Sequence, residues 1–105
     1  ISGGNNVYPA EVESALKTCP GVEDAVVFGL PDAYYGQQIV AVVSGEAVDA
    51  KILASHCADK LARFKIPKQF YHIASWPMTS SGKILRGRVE AAVTAGDGLV
   101  LRLPA

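Results

Sequence analysis

The chain has 105 residues, half of them hydrophobic, enough for one modest domain with a small core. Ten basic and ten acidic residues cancel to zero net charge, which removes the case for bulk electrostatic binding to nucleic acid or to an anionic membrane and leaves only local basic clusters. The apolar runs are far shorter than a membrane span, and no secretory signal, internal repeat or low-complexity tract is visible. Ile1 is not a natural start, so the expectation is a chain whose true N-terminus lies upstream, in a cytoplasmic protein.

The opening "ISGGNNVYPAEVE" is a glycine-rich turn leading into a helix. Pro9 suits a first helical position, where a missing N–H costs nothing, and Glu11 and Glu13 follow in the first turn. Val12, Ala15, Leu16 and Cys19 repeat at helical spacing, and Pro20-Gly21 stop the helix. Residues 22–30 read as a strand, 31–37 as a loop and 38–45 as a second strand rich in β-branched residues. A helix is predicted from about Asp49, as N-cap, to about Ala62, with Leu53, Cys57 and Leu61 inward. "QFYHI" (69–73) predicts a third strand, "WPMTSSG" a loop, and 86–94 a last helix with Val89, Ala92 and Val93 inward. The segment 95–105 is left as a tail. The fold class is α+β, with about three helices packed on a short sheet of about three strands. Cys19 and Cys57 fall on apolar helix positions and read as buried free thiols rather than a disulfide.

"MTSSGKILR" (78–86) invites comparison with a phosphate-binding loop. The pattern G-x-x-x-x-G-K-[ST] would need glycine where Pro77 stands and a hydroxyl where Ile84 stands, so this is not a P-loop. "SGGNN" likewise lacks a dinucleotide fingerprint. What remains is Lys83 on a small polar loop of Thr79, Ser80, Ser81 and Gly82, with glycine permitting close approach of the backbone to a ligand. Such a loop is expected to be mobile. By composition alone Lys83 is a solvated surface lysine; the alternative is a mobile point charge for a phosphoryl or carboxylate oxygen.

Two stretches shift that balance. "ISGGNNVYPAEVE" and "LARFKIPKQF……WPMTSSGKILR" (61–86), joined by "PDAYYGQ", together resemble the C-terminal domain of the adenylate-forming acyl-CoA synthetases, a superfamily that includes luciferases and peptide-synthetase adenylation domains. The resemblance covers about residues 1–94. It implies a small mobile domain of a larger ATP-dependent, AMP-forming acyl- or aryl-CoA ligase. In such enzymes a carboxylate attacks the α-phosphorus of ATP, pyrophosphate leaves, and CoA then displaces AMP from the acyl-adenylate. The C-terminal domain rotates between the two steps. The large N-terminal adenylation domain, with its ATP loop and acyl pocket, and the interdomain hinge would lie before Ile1, so this fragment alone is expected to be inactive.

By the same resemblance Lys83 is the adenylation lysine, presented by Thr79, Ser81 and Gly82. Its acetylation by a lysine acetyltransferase, reversed by a deacetylase, would remove the charge. Ser2, Gly3 and Gly4 would line the pantetheine tunnel. Tyr35 and Phe64 would lie near the CoA nucleotide, where a ring can stack on adenine, and Lys65 and Lys68 would neutralise CoA phosphates, with Arg63 a weaker candidate. For Tyr35 packing is an equal alternative. ATP with Mg2+ and CoA enter as substrates held mainly by the N-terminal domain, with no metal held by this chain. Asn5, Ile66 and Met78 depart from the family pattern, where acidic, arginine and basic residues respectively occur. Alternatives are an enzyme that passes its acyl group to a carrier protein, and a small binding module without chemistry.

The remaining polar residues carry weaker signals. His56 and His72 have no partners at metal-ligand spacing and read as ordinary side chains. Trp76 reads as a core or domain-interface anchor. Arg86 and Arg88 are out of place at a helix N-terminus, where cations are disfavoured, and read as solvated or as contacts for another domain.

Overall fold

The computed structural model describes residues 7–34, 36–46 and 48–104. A four-stranded sheet runs in the order β1 (Val22–Asp32), β2 (Gly36–Gly45), β3 (Gln69–Ile73), β4 (Val100–Arg102). β1 and β2 are antiparallel, β2 and β3 parallel, β3 and β4 antiparallel. Helices α1 (Pro9–Lys17) and α2 (Ala50–Lys60) cover one face, and α3 (Arg86–Ala95) covers the other.

Burial on both faces explains the sequence of the central strands. Ala25, Val27, Ala41 and Val43 point into the layer of Val12, Leu16, Leu53 and Cys57, while Val26, Phe28, Val40 and Val42 point into the layer of Ile73, Val89, Ala92 and Val93. A strand covered on both faces has no polar side to alternate with, so it reads as a continuous apolar run.

Two of the helices, α1 and α2, start as their local chemistry dictates. Pro9 opens α1, and Asp49 caps α2, its carboxylate accepting the Ile52 N–H at 2.9 Å. Helix α1 stops at Lys17, so Cys19 lies in the turn beyond it, yet it is buried beside α2 as expected. Cys57 is fully buried, and both thiols are free.

Three departures from the sequence reading have clear causes. The loop predicted over 31–37 is mostly strand: Pro31 pairs with Gln37 and Asp32 with Gly36. Pro31 is tolerated because β1 is an edge strand, where a missing donor breaks no ladder. The sheet has four strands rather than three, because residues from the 95–105 segment form β4 on the free edge of β3. There Tyr71 pairs with Arg102, and the Leu103 N–H donates to Phe70 O at 2.8 Å. Asp97 shapes the turn into β4 by accepting the Leu99 N–H at 2.8 Å; that bond, with the Arg88 guanidinium, holds its carboxyl below the usual range. Lastly, Arg86 and Arg88 have partners within the chain, Glu13 and Asp97.

His56 lies 2.7 Å from Thr18 Oγ1, and His72 Nε2 donates to Gly45 O at 3.0 Å, each a local structural contact. Trp76 is half-buried against the α3 layer and donates to Ser44 Oγ at 2.9 Å, so it is at least a core anchor.

Candidate functional site

The Lys83 loop is a closed hairpin. Gly82 N–H returns to Thr79 O at 3.0 Å, Thr79 N–H donates to Lys83 O at 2.8 Å, and Met78 bridges Ile84. One step further out, Leu85 N–H donates to Pro77 O at 2.8 Å. This is the three-residue hairpin in which a turn is followed by a left-handed residue, and Gly82 fills that position with φ +87°. A Cβ at Gly82 would meet nothing within 4 Å, so glycine is required here by backbone conformation rather than by space. Thr79 adds a side-chain brace: its Oγ1 accepts the Lys83 N–H at 3.1 Å and lies 3.0 Å from Ser81 Oγ. The polar residues between Pro77 and Gly82 therefore build a defined support for Lys83.

Lys83 lines an open groove of about 370 Å³ with Glu13, Lys17, Asp24, Ile84 and Arg86. The two carboxylates there are already engaged. Asp24 pairs with Lys17 at 3.4 Å and Glu13 with Arg86 at 2.5 Å. Among the described residues, no carboxylate pairs with Lys83, so its ammonium faces the groove uncommitted.

Phe64, Lys65 and Lys68, the described residues assigned to CoA, lie outside this groove. Phe64 sits on a 3-10 turn (Arg63–Lys65) after α2 and is 41% exposed as a residue, open enough to accept a stacking partner. Lys65 is held by Glu11 at 2.8 Å, with its ammonium 5.6 Å from the Phe64 ring centre. Lys68 is exposed, its backbone N–H fixed to Ile39 O at 2.9 Å. Ser2, Gly3, Gly4 and Tyr35 lie outside the described residues, as does Asn5.

Helix α1 organises both groups. Glu11 ties down the Phe64 turn, and Glu13 ties down the root of the lysine hairpin. Residues two apart on a helix project about 200° apart, so the two groups attach to different sides of α1. Sequence reasoning missed the Glu13–Arg86 pair. Its signal was two electrostatic oddities, an acid between the buried positions Val12 and Leu16 and a base at a helix start.

A sheet covered by helices on both faces thus carries, on a braced hairpin, a lysine with no ion-pair partner among the described residues. The chain belongs to the AMP-binding enzyme C-terminal domain family, whose profile matches residues 11–83. It is 49% identical over 90 residues to an uncharacterized acyl-CoA ligase, YhfT, of Bacillus subtilis, covering 86% of this chain and 19% of that protein. It is 41% identical over 92 residues to 2-succinylbenzoate–CoA ligase of Staphylococcus epidermidis, covering 87% of this chain and 19% of that protein. Among solved structures, o-succinylbenzoate CoA synthetase of Bacillus subtilis, bound to a product analogue, superposes with TM-score 0.86 at 36% identity, covering 99% of this chain and 20% of that one. A fatty acyl CoA synthetase of Mycobacterium tuberculosis superposes with TM-score 0.86 at 38% identity, covering 91% and 20%. The chain thus spans about a fifth of the length of these relatives.

Proposed function

We propose that this chain is the mobile C-terminal domain of an ATP-dependent, AMP-forming acyl- or aryl-CoA ligase and that Lys83 serves its first half-reaction. A substrate carboxylate oxygen attacks the α-phosphorus of ATP and pyrophosphate leaves. The Lys83 ammonium bridges carboxylate and α-phosphate and offsets the negative charge that builds up between them. In the second half-reaction the CoA sulfur attacks the acyl carbon and AMP leaves, with Phe64, Lys65 and Lys68, and by resemblance Ser2, Gly3, Gly4 and Tyr35, on the CoA side. ATP, its Mg2+ and the acid are bound mainly by the N-terminal domain. Acetylation of the exposed Lys83 would switch off the first step by removing its charge.

The observation that carries this reading is the uncommitted ammonium of Lys83 on a hairpin that fixes its backbone at both ends. The separation of Lys83 from the Phe64 turn around α1 supports a domain that serves the two steps with different sides. The test is Lys83→Ala in the full-length enzyme. Pyrophosphate exchange should fall by about 100-fold or more, as when one transition-state donor is removed, while thioester formation from pre-made acyl-adenylate persists. Equal loss of both half-reactions would refute the assignment.

A further inference from the structure

We infer that Arg86 is a positioning residue for Lys83, holding Glu13 engaged so that the lysine keeps its charge for substrate. The inference rests on the adenylation role proposed for Lys83. Four observations carry it. Glu13 is 9% exposed and its Oε2 accepts the Val27 N–H at 2.8 Å, so the carboxylate is anchored in place. Glu13 and Lys83 line the same groove. The other carboxylate of that groove, Asp24, is paired with Lys17. Arg86 Nη2 lies 2.5 Å from the same Glu13 oxygen and 3.4 Å from Val27 O.

Arg86 follows Lys83 by three positions, immediately after the Leu85 N–H that closes the hairpin on Pro77. Its grip on the sheet edge therefore fixes the root of the hairpin. It also occupies a poorly hydrated anion. Without it, Glu13 becomes an unpaired, largely buried carboxylate facing a groove whose one uncommitted cation, among the described residues, is Lys83. An anion in that state strongly favours any cation within reach, and the four-carbon lysine stem is flexible enough to respond. Capture by Glu13 would draw the ammonium away from the carboxylate and phosphate it is meant to bridge.

The experiment compares Arg86→Met, Glu13→Gln/Arg86→Met, Lys83→Ala and Lys83→Ala/Arg86→Met in the full-length enzyme. Pyrophosphate exchange reads the first half-reaction, and thioester formation from pre-made acyl-adenylate reads the second. Arg86→Met should lower kcat of exchange by about tenfold or more, with KM for ATP and the thioester step changed by less than about threefold. Glu13→Gln/Arg86→Met should recover most of the exchange, because a neutral amide still accepts the Val27 N–H but offers Lys83 no anion. In the Lys83→Ala background Arg86→Met should cost nothing further. Arg86→Met with normal exchange, equal loss of both half-reactions, or a double variant no better than Arg86→Met would each overturn the inference. Normal exchange in Lys83→Ala is a separate result, which overturns the role of Lys83 itself and this inference with it.

Discussion

Glu13 and Arg86, 73 positions apart, meet at the open edge of the sheet: one Glu13 oxygen accepts both the Arg86 guanidinium and the Val27 N–H. The same guanidinium nitrogen lies 3.4 Å from Val27 O. β1 is an edge strand, so Val27 has backbone groups with no neighbouring strand to meet them. The ion pair supplies an acceptor and a donor there and joins α1, β1 and the start of α3 in one contact.

Glu13→Ala should therefore destabilise the chain by about 1–3 kcal/mol, the cost of a buried donor left without its acceptor. Glu13→Gln should cost less, since the amide oxygen still accepts the Val27 N–H. Urea denaturation of the three proteins measures both. A loss below about 0.5 kcal/mol for Glu13→Ala, the range of an ordinary surface change, would mean that the edge has no need of this residue.

Gly82 and Gly45 should respond to alanine for different reasons. At Gly82 the only penalty is the left-handed backbone, about 1–3 kcal/mol, and Gly82→Asn should recover part of it because asparagine tolerates that region. At Gly45, with φ +129°, an added Cβ would also fall 1.8 Å from Gly21 O, so the chain must move. Gly45→Ala should lower the melting temperature well beyond Gly82→Ala. In the full-length enzyme Gly82→Ala should impair adenylation more than its modest stability loss implies. The reverse order of stabilities would refute the two assignments.

The thiols give a pH signature. Burial pushes Cys57 up from 9.0 to about 11, with a smaller contribution from Cys19, and burial raises Cys19 as well. Both should resist alkylation at neutral pH in the folded chain and react promptly in denaturant. The neutral thiol is the form the fold favours. Below the unfolded-state pKa near 9 both states keep the proton, and stability is independent of it. Between there and about 11 only the unfolded chain loses it, so stability should fall by up to about 1.4 kcal/mol per pH unit. Cys57→Ala should remove most of that slope in denaturation curves run across the window. An unchanged slope would place the alkaline loss in other groups.

The sequence was informative wherever the cause was local. Pro9 and Asp49 mark helix starts through their own backbone and side-chain chemistry, and the β-branched run of 38–45 marks a strand through its shape. The tail was opaque for the opposite reason. Val100–Arg102 is only three residues long, and what makes it a strand is the vacant edge of β3. The same limit applied to Lys83. Its residue type and polar surroundings were visible, but "MTSSG" read as a slack loop because the Thr79–Lys83 and Pro77–Leu85 hydrogen bonds form only when the chain turns back on itself.

Local signals were enough for the helices, three of the strands and the burial of both cysteines. These follow from periodicity, caps and residue type, which act within a few positions of one another. Packing in three dimensions sets which charges are engaged and which, Lys83 among them, have no ion-pair partner among the described residues. Lys17 finds Asp24, Lys65 finds Glu11 and Arg86 finds Glu13 across turns and layers that no spacing encodes. An ion pair depends on distances of a few ångströms between residues far apart in the chain, and packing of the sheet against its helices sets those distances.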